Sequence, residues 1–202
     1  MNLKGKHIIV TGGSLGIGRA TANSLIEKGA KVLVTGRSTE RLDNAFKDLN
    51  CQTIEFDIGD TAKPKENAKK CIEILDGRVD VLINNAGLGE RKSIEELSID
   101  AFMKVFNVNV FGLALFTKEI VPLMKSQNGG TIINIGSTAS LKGYQTGSIY
   151  ASSKFAVRCL TQCWQAELRP HNIRVCQINP SEVTTAFGSR DRIEREEVNN
   201  KL

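Results

Sequence analysis

Short β-branched and apolar runs alternate along the whole chain with longer stretches whose apolar residues recur at helical spacing. Residues 7–11, 31–35, 52–56, 79–83, 130–135 and 173–178 read as strands. Between them, residues 15–29, 39–49, 66–75, 99–125 and 149–168 read as helices. A helix between successive strands returns the chain to the same end of the sheet, so the strands run parallel, with right-handed crossovers and helices on both faces. The pattern predicts an α/β fold: a doubly wound, mostly parallel sheet in a single domain over residues 1–202. A chain of 202 residues buries one such core and is too short for two.

Composition removes other classes. With 41% hydrophobic and 24% charged residues the chain has the make-up of a globular domain, not of a disordered one. Unbroken apolar runs stay far below the ~18 residues of a membrane span, and the N-terminus lacks the apolar stretch and cleavage site of a signal peptide. The expectation is a cytoplasmic protein with no membrane partner. Cys51, Cys71, Cys159, Cys163 and Cys176 are scattered and fit reduced thiols. Cys159 and Cys163 lie one helical turn apart, but with only His7 and His171 to complete a ligand set no metal site is expected. The net charge of +5 is spread among acids, as in Glu194-Arg195-Glu196-Glu197, which speaks against nucleic acid as a partner.

Function enters at the junction of the first strand and the first helix, Thr11-Gly12-Gly13-Ser14-Leu15-Gly16-Ile17-Gly18. Glycines there permit a tight turn, close approach of backbone N–H groups to a pyrophosphate, and close helix–strand packing. The helix dipole adds positive potential. The spacing, Thr-Gly-x-x-x-Gly-x-Gly, resembles the cofactor turn of the short-chain dehydrogenases/reductases. After the second strand an NAD-binding chain carries an acid for the ribose 2′-hydroxyl. This one has Gly36, then Arg37 and Ser38, a guanidinium and a hydroxyl suited to a 2′-phosphate. NADP(H) is therefore expected over NAD(H).

Tyr150 and Lys154 stand at i and i+4 on a predicted helix, so they share a face. A phenol is a poor base near neutral pH, and a neighbouring cation is expected to lower its pKa. Ser137 directly follows the fifth strand, at the carboxyl edge of the sheet where open α/β folds bind ligands. Asn109 lies inside the long predicted helix, where an asparagine can disturb the backbone ladder and bind water.

The same family uses a serine, tyrosine and lysine at these intervals. The resemblance implies that Ser137, Tyr150 and Lys154 are catalytic and that Asn109, rather than the neighbouring Asn107, holds a water in a proton relay. It also implies that Asn85, Ala86 and Gly87, within Asn84-Asn85-Ala86-Gly87, border the adenosine half of the cofactor, and that Asp57 and Ile58 contact adenine. Pro180, Val183 and Thr185 match a segment beside the nicotinamide, with Ser181 where the family usually has glycine. Cofactor contacts are thus expected from Gly12, Ser14, Leu15, Gly16, Ile17, Gly18, Arg37, Ser38, Asp57, Ile58, Asn85, Ala86, Gly87, Tyr150, Lys154, Pro180, Val183 and Thr185. Leu88, Gly89, Ser140 and Tyr144 are expected around the substrate.

The likeness runs from about residue 5 to residue 187. Family members usually continue to a seventh strand, so a C-terminal strand is expected to be missing, with 187–202 a helical or mobile tail near the substrate lid. The fold implied is the Rossmann fold. The reaction implied is hydride transfer between NADP(H) and a ketone or secondary alcohol, 3-oxoacyl thioesters included. The alternative is a dinucleotide-binding sensor or scaffold without catalysis, for which Ser, Tyr, Lys and Asn have no use. A sugar-nucleotide epimerase would need a large further substrate domain. Apolar surface on helices 99–125 and 149–168 points to a homodimer or homotetramer.

Overall fold

The computed structural model describes residues 2–185 and 187. Its strands are β1 (His7–Thr11), β2 (Lys31–Gly36), β3 (Cys51–Glu55), β4 (Val81–Asn84), β5 (Gly130–Ile135) and β6 (Ile173–Ile178). They form one parallel sheet in the order β3-β2-β1-β4-β5-β6. The helices are α1 (Gly16–Glu27), α2 (Thr39–Phe46), α3 (Pro64–Ile74), α4 (Ile99–Phe106), α5 (Leu113–Ser126) and α6 (Ser148–Leu168). The doubly wound Rossmann arrangement expected from the alternation is present. β3 and β6 are the edges among the described residues.

Alternating side chains of the central strands feed two cores, as the two-residue period of a strand requires. Ile9, Leu33, Leu82 and Ile132 pack with Ala68, Cys71, Phe116, Ile120 and Met124 of α3 and α5. Ile8, Val10, Val32, Val34 and Ile83 face the other way, onto Ala22, Leu42 and Phe46 of α1 and α2. The topology reverses between β1 and β4, so the loops after these two strands diverge at the carboxyl edge and leave a crevice.

The long predicted helix departs from its expected form. Residues Asn107–Gly112 make a π-helical turn between α4 and α5. Two close contacts hold it there. A side chain on Gly112 would meet the Ile58 carbonyl oxygen at 1.9 Å, and one on Gly59 would meet Val108 at 2.9 Å. The loop after β3 is pressed onto this turn, and the wider coil carries Asn109 inward. An 18-residue window within the Ile99–Ser126 stretch also reaches the mean hydropathy, 1.5, of a membrane span, although its unbroken apolar runs are far shorter. In this structure Phe116, Ile120 and Met124 of that stretch are fully buried in the core.

Candidate active site

The glycine turn is held open from behind. Gly12 and Gly16 have φ of +66° and +54°, a region that side chains rarely adopt. A Cβ on Gly12 would lie 2.6 Å from the Ala86 Cα, and one on Gly18 would lie 2.3 Å from the Asn85 amide nitrogen. Asn85 Nδ2 donates to the carbonyls of Thr11 and Gly12, each at 2.9 Å. The Thr11 hydroxyl accepts from the backbone N–H of Asn85 at 3.1 Å and of Ala86 at 3.2 Å. Asn85 thus clamps the loops after β1 and β4 together. Thr11 is the residue that sequence reasoning left out of the site, although it opens the glycine motif.

The start of α1 fits an anionic group. Its N-cap is Leu15, in extended backbone with no side-chain capping bond, and no acid lies in the first turn. The helix's leading N–H groups are therefore not satisfied or neutralised by a capping side chain, which is the arrangement that binds phosphate. Gly16 and Ile17 share a groove with Val183 and Thr185. Thr185 is buried, and its side chain lies 3.2 Å from where a Gly16 Cβ would be. Pro180 is anchored through its carbonyl, which accepts from Thr138 N–H at 2.9 Å.

Where β2 ends, a cleft of about 550 Å³ is lined by Ser14, Arg37, Ser38, Arg41, Glu55 and Asp57. Ser38 caps α2, accepting from Arg41 N–H at 3.3 Å. Arg37 approaches the Asp57 carboxylate at 3.9 Å, while Asp57 Oδ1 accepts from Gly59 N–H at 2.8 Å. Glu55 takes the Thr39 N–H at 3.1 Å and the Thr39 hydroxyl. Both acids are thereby engaged, and two guanidiniums face the cleft. Arg41, in the first turn of α2, is a lining residue that the sequence reading left out.

Ser137, Tyr150 and Lys154 come together at the carboxyl end of β5. Ser137 caps a short 3₁₀ turn, accepting from Ala139 N–H at 3.1 Å, and its own N–H donates to the Ser140 hydroxyl at 3.1 Å. The Ser137 side chain lies close enough to the Tyr150 phenol to favour its ionised form. Lys154 is buried at 4% exposure, donates from Nζ to the Ile135 carbonyl at 2.8 Å, and stands 5.8 Å from the Tyr150 ring centre. A Cβ on Gly87 would sit 3.7 Å from that Nζ and 3.5 Å from Asn109 Oδ1. Gly87 therefore leaves the space that separates lysine and asparagine.

Electrostatics correct one expectation. Burial pushes the Tyr150 pKa above its ordinary 10, against the effect of Ser137, which favours the phenolate. Burial also pulls Lys154 down from 10.5 to about 8. The net direction for the phenol is upward because its desolvation outweighs the effect of Ser137. Asn109 is buried behind this pair. Its side chain is consumed by protein, donating to the Leu88 carbonyl at 2.9 Å and Ser153 Oγ at 3.0 Å and accepting from Leu88 N–H at 2.8 Å. Ser153 was missed, and nothing in its sequence neighbourhood signals it.

A parallel sheet with an uncapped helix behind a glycine turn, and a Ser–Tyr–Lys cluster across the crevice, defines a dinucleotide-binding oxidoreductase domain. The family model described as short chain dehydrogenase matches residues 6–196, and the chain belongs to that family, whose members bind nicotinamide dinucleotides. An uncharacterized oxidoreductase from Thermotoga maritima is 38% identical over 89% of this chain, which spans 72% of that protein. The 3-oxoacyl-[acyl-carrier-protein] reductase FabG of the same organism is 33% identical over 92% of this chain and 77% of its own. A short-chain dehydrogenase structure from Streptomyces avermitilis superposes with a TM-score of 0.82 at 32% identity, over 88% of this chain and 65% of that one.

Proposed function

We propose that this chain is an NADP(H)-dependent oxidoreductase interconverting ketones and secondary alcohols, 3-oxoacyl thioesters among them. The reading rests above all on the buried Lys154, held by the Ile135 carbonyl and lying beside the Tyr150 ring at the end of the strand that Ser137 follows. The cofactor supplies a hydride at its nicotinamide ring when bound. The glycine turn and the α1 N-terminus hold the pyrophosphate, Val183 and Thr185 the carboxamide, and Asn85–Gly87, Asp57 and Ile58 the adenosine side. Arg37, with Ser38 and Arg41, takes the 2′-phosphate. Ser137 hydrogen-bonds the substrate oxygen, and Tyr150 donates its proton to it. A phenol whose pKa is raised stays protonated at neutral pH, which suits the reductive direction. Lys154 grips the ribose hydroxyls and compensates the phenolate left after proton transfer, while Asn109 holds the Leu88 loop and the relay behind the lysine. A sensor without chemistry has no use for an ammonium desolvated beside a phenol, since burying a charge costs stability.

The five free thiols fit a cytoplasmic setting. The exposed Met103, Phe111 and Phe155 fit a homodimer or homotetramer through the faces of 99–125 and 149–168. Separate titrations with NADPH and NADH test the reading. Binding of NADPH at least tenfold tighter, about 1.4 kcal/mol, is expected, and a preference for NADH would sink the role given to Arg37.

A further inference from the structure

We infer that Arg91, stacked on Tyr144 at the mouth of the Tyr150 crevice, anchors an anionic group of the substrate. The chain then acts on ketones that carry a carboxylate or phosphate, an inference that rests on the carbonyl chemistry proposed above. One side of the crevice is closed. The Phe187 ring lies 5.6 Å from the Tyr150 ring, and its edge would be 3.3 Å from a Cβ on Gly89. The other side opens past Tyr144, whose ring rests on Gly147 at the start of α6 and is 41% exposed. Tyr144 lies near enough to Tyr150 to act on the ionisation of its phenol.

The Arg91 guanidinium carbon stands 5.5 Å above the centre of the Tyr144 ring. That distance is within cation–π range, and the exposed guanidinium keeps N–H groups available for the forked pairing that carboxylates and phosphates accept. The two loops are tied together, because Lys92 N–H donates to the Thr146 carbonyl at 3.1 Å. Two of the acids near Arg91 in the chain are engaged elsewhere. Glu90 pairs with Lys104 at 3.3 Å, and Glu96 accepts from Ser93 N–H and Oγ while facing the charge of Lys92. Among the described residues, no carboxylate pairs with Arg91. An exposed guanidinium is thus offered to whatever extends from the carbonyl toward Tyr144.

The test compares 3-oxobutanoate, 4-oxopentanoate and 5-oxohexanoate with their methyl esters, and dihydroxyacetone phosphate with dihydroxyacetone, as NADPH-dependent substrates. For at least one charged member kcat/KM is expected to exceed that of its neutral partner. Arg91→Gln is expected to erase about a tenfold advantage through KM, leaving the neutral compounds unchanged. Which charged member wins identifies carboxylate or phosphate. Neutral partners turned over as well as charged ones, or equal losses for both in the variant, overturn the inference while leaving the carbonyl chemistry standing. Failure to bind NADPH or NADH and to reduce any member fails that chemistry instead. In that case binding of the charged compounds to the protein, alone and with NADP⁺, decides for Arg91: equal affinity in wild type and Arg91→Gln overturns it.

Discussion

Tyr150 and Lys154 show how burial sets the working state of a residue. Tyr150→Phe keeps the ring and its packing against Phe187 but deletes the proton, so turnover is expected to fall by roughly 10²–10⁴ with NADPH affinity unchanged, measured by steady-state kinetics and by titration. Lys154 makes a prediction about stability. In the unfolded chain it keeps its proton to about pH 10.5, whereas in the folded chain it yields it near about 8. Between these values the unfolded chain binds more protons, so folding stability rises with pH through that window and the cost of the buried charge is felt in full below it. Urea unfolding from pH 8 to 10 is expected to show that rise in the difference between the wild type and Lys154→Met, which cancels the opposite trend of the buried Cys51 and Cys71 thiols, pushed up to about 12 by desolvation. A Lys154→Met variant less stable than wild type at pH 7 would mean that the Ile135 bond outweighs desolvation.

Among the elements, the π turn at Asn107–Gly112 couples the most to its surroundings. It receives the Ile58 loop on one side and holds Leu88 through Asn109 on the other, linking the loop after β3 to the loop after β4. Its geometry depends on Gly112, because a methyl group there collides with backbone rather than with a side chain that can rotate away. Gly112→Ala is expected to cost about 3 kcal/mol in denaturant unfolding, since overpacking against fixed backbone forces the loop to shift. A loss below about 0.5 kcal/mol, the level of an ordinary surface change, would show that the turn and the Ile58 loop separate freely. An asparagine inside a helical pattern signalled the irregularity in the sequence. Its π form was not legible there, because it depends on the Ile58 carbonyl, which packing brings from about fifty residues away.

At the scale of the molecule, the proposed assembly turns on exposed apolar residues of α4, the π turn and α6. Met103, Phe111 and Phe155 keep 42%, 41% and 42% of their surface exposed. A dimer through these faces is expected to sediment at twice the 22.1 kDa chain mass at micromolar concentration, and Phe155→Glu to return it to monomer, because burying an unpaired carboxylate is costly. Wild type sedimenting as a monomer would reject this surface as an interface. By itself the sequence determined the alternation of strands and helices, and with it the parallel sheet, its two cores and the crevice at its carboxyl edge. Such features follow from local period and from the short reach of crossovers. The glycine turn and the i, i+4 pairing of Tyr150 with Lys154 were legible for the same reason, being contiguous in the chain. Tertiary structure alone decided that Glu55 and Asp57 meet Arg37 in one cleft, that Ser153 takes up Asn109, that Phe187 packs on Tyr150, and that Arg91 lies over Tyr144. It also decided the sign of the Tyr150 shift, because desolvation depends on what surrounds a group in space, and neighbours along the chain do not reveal that.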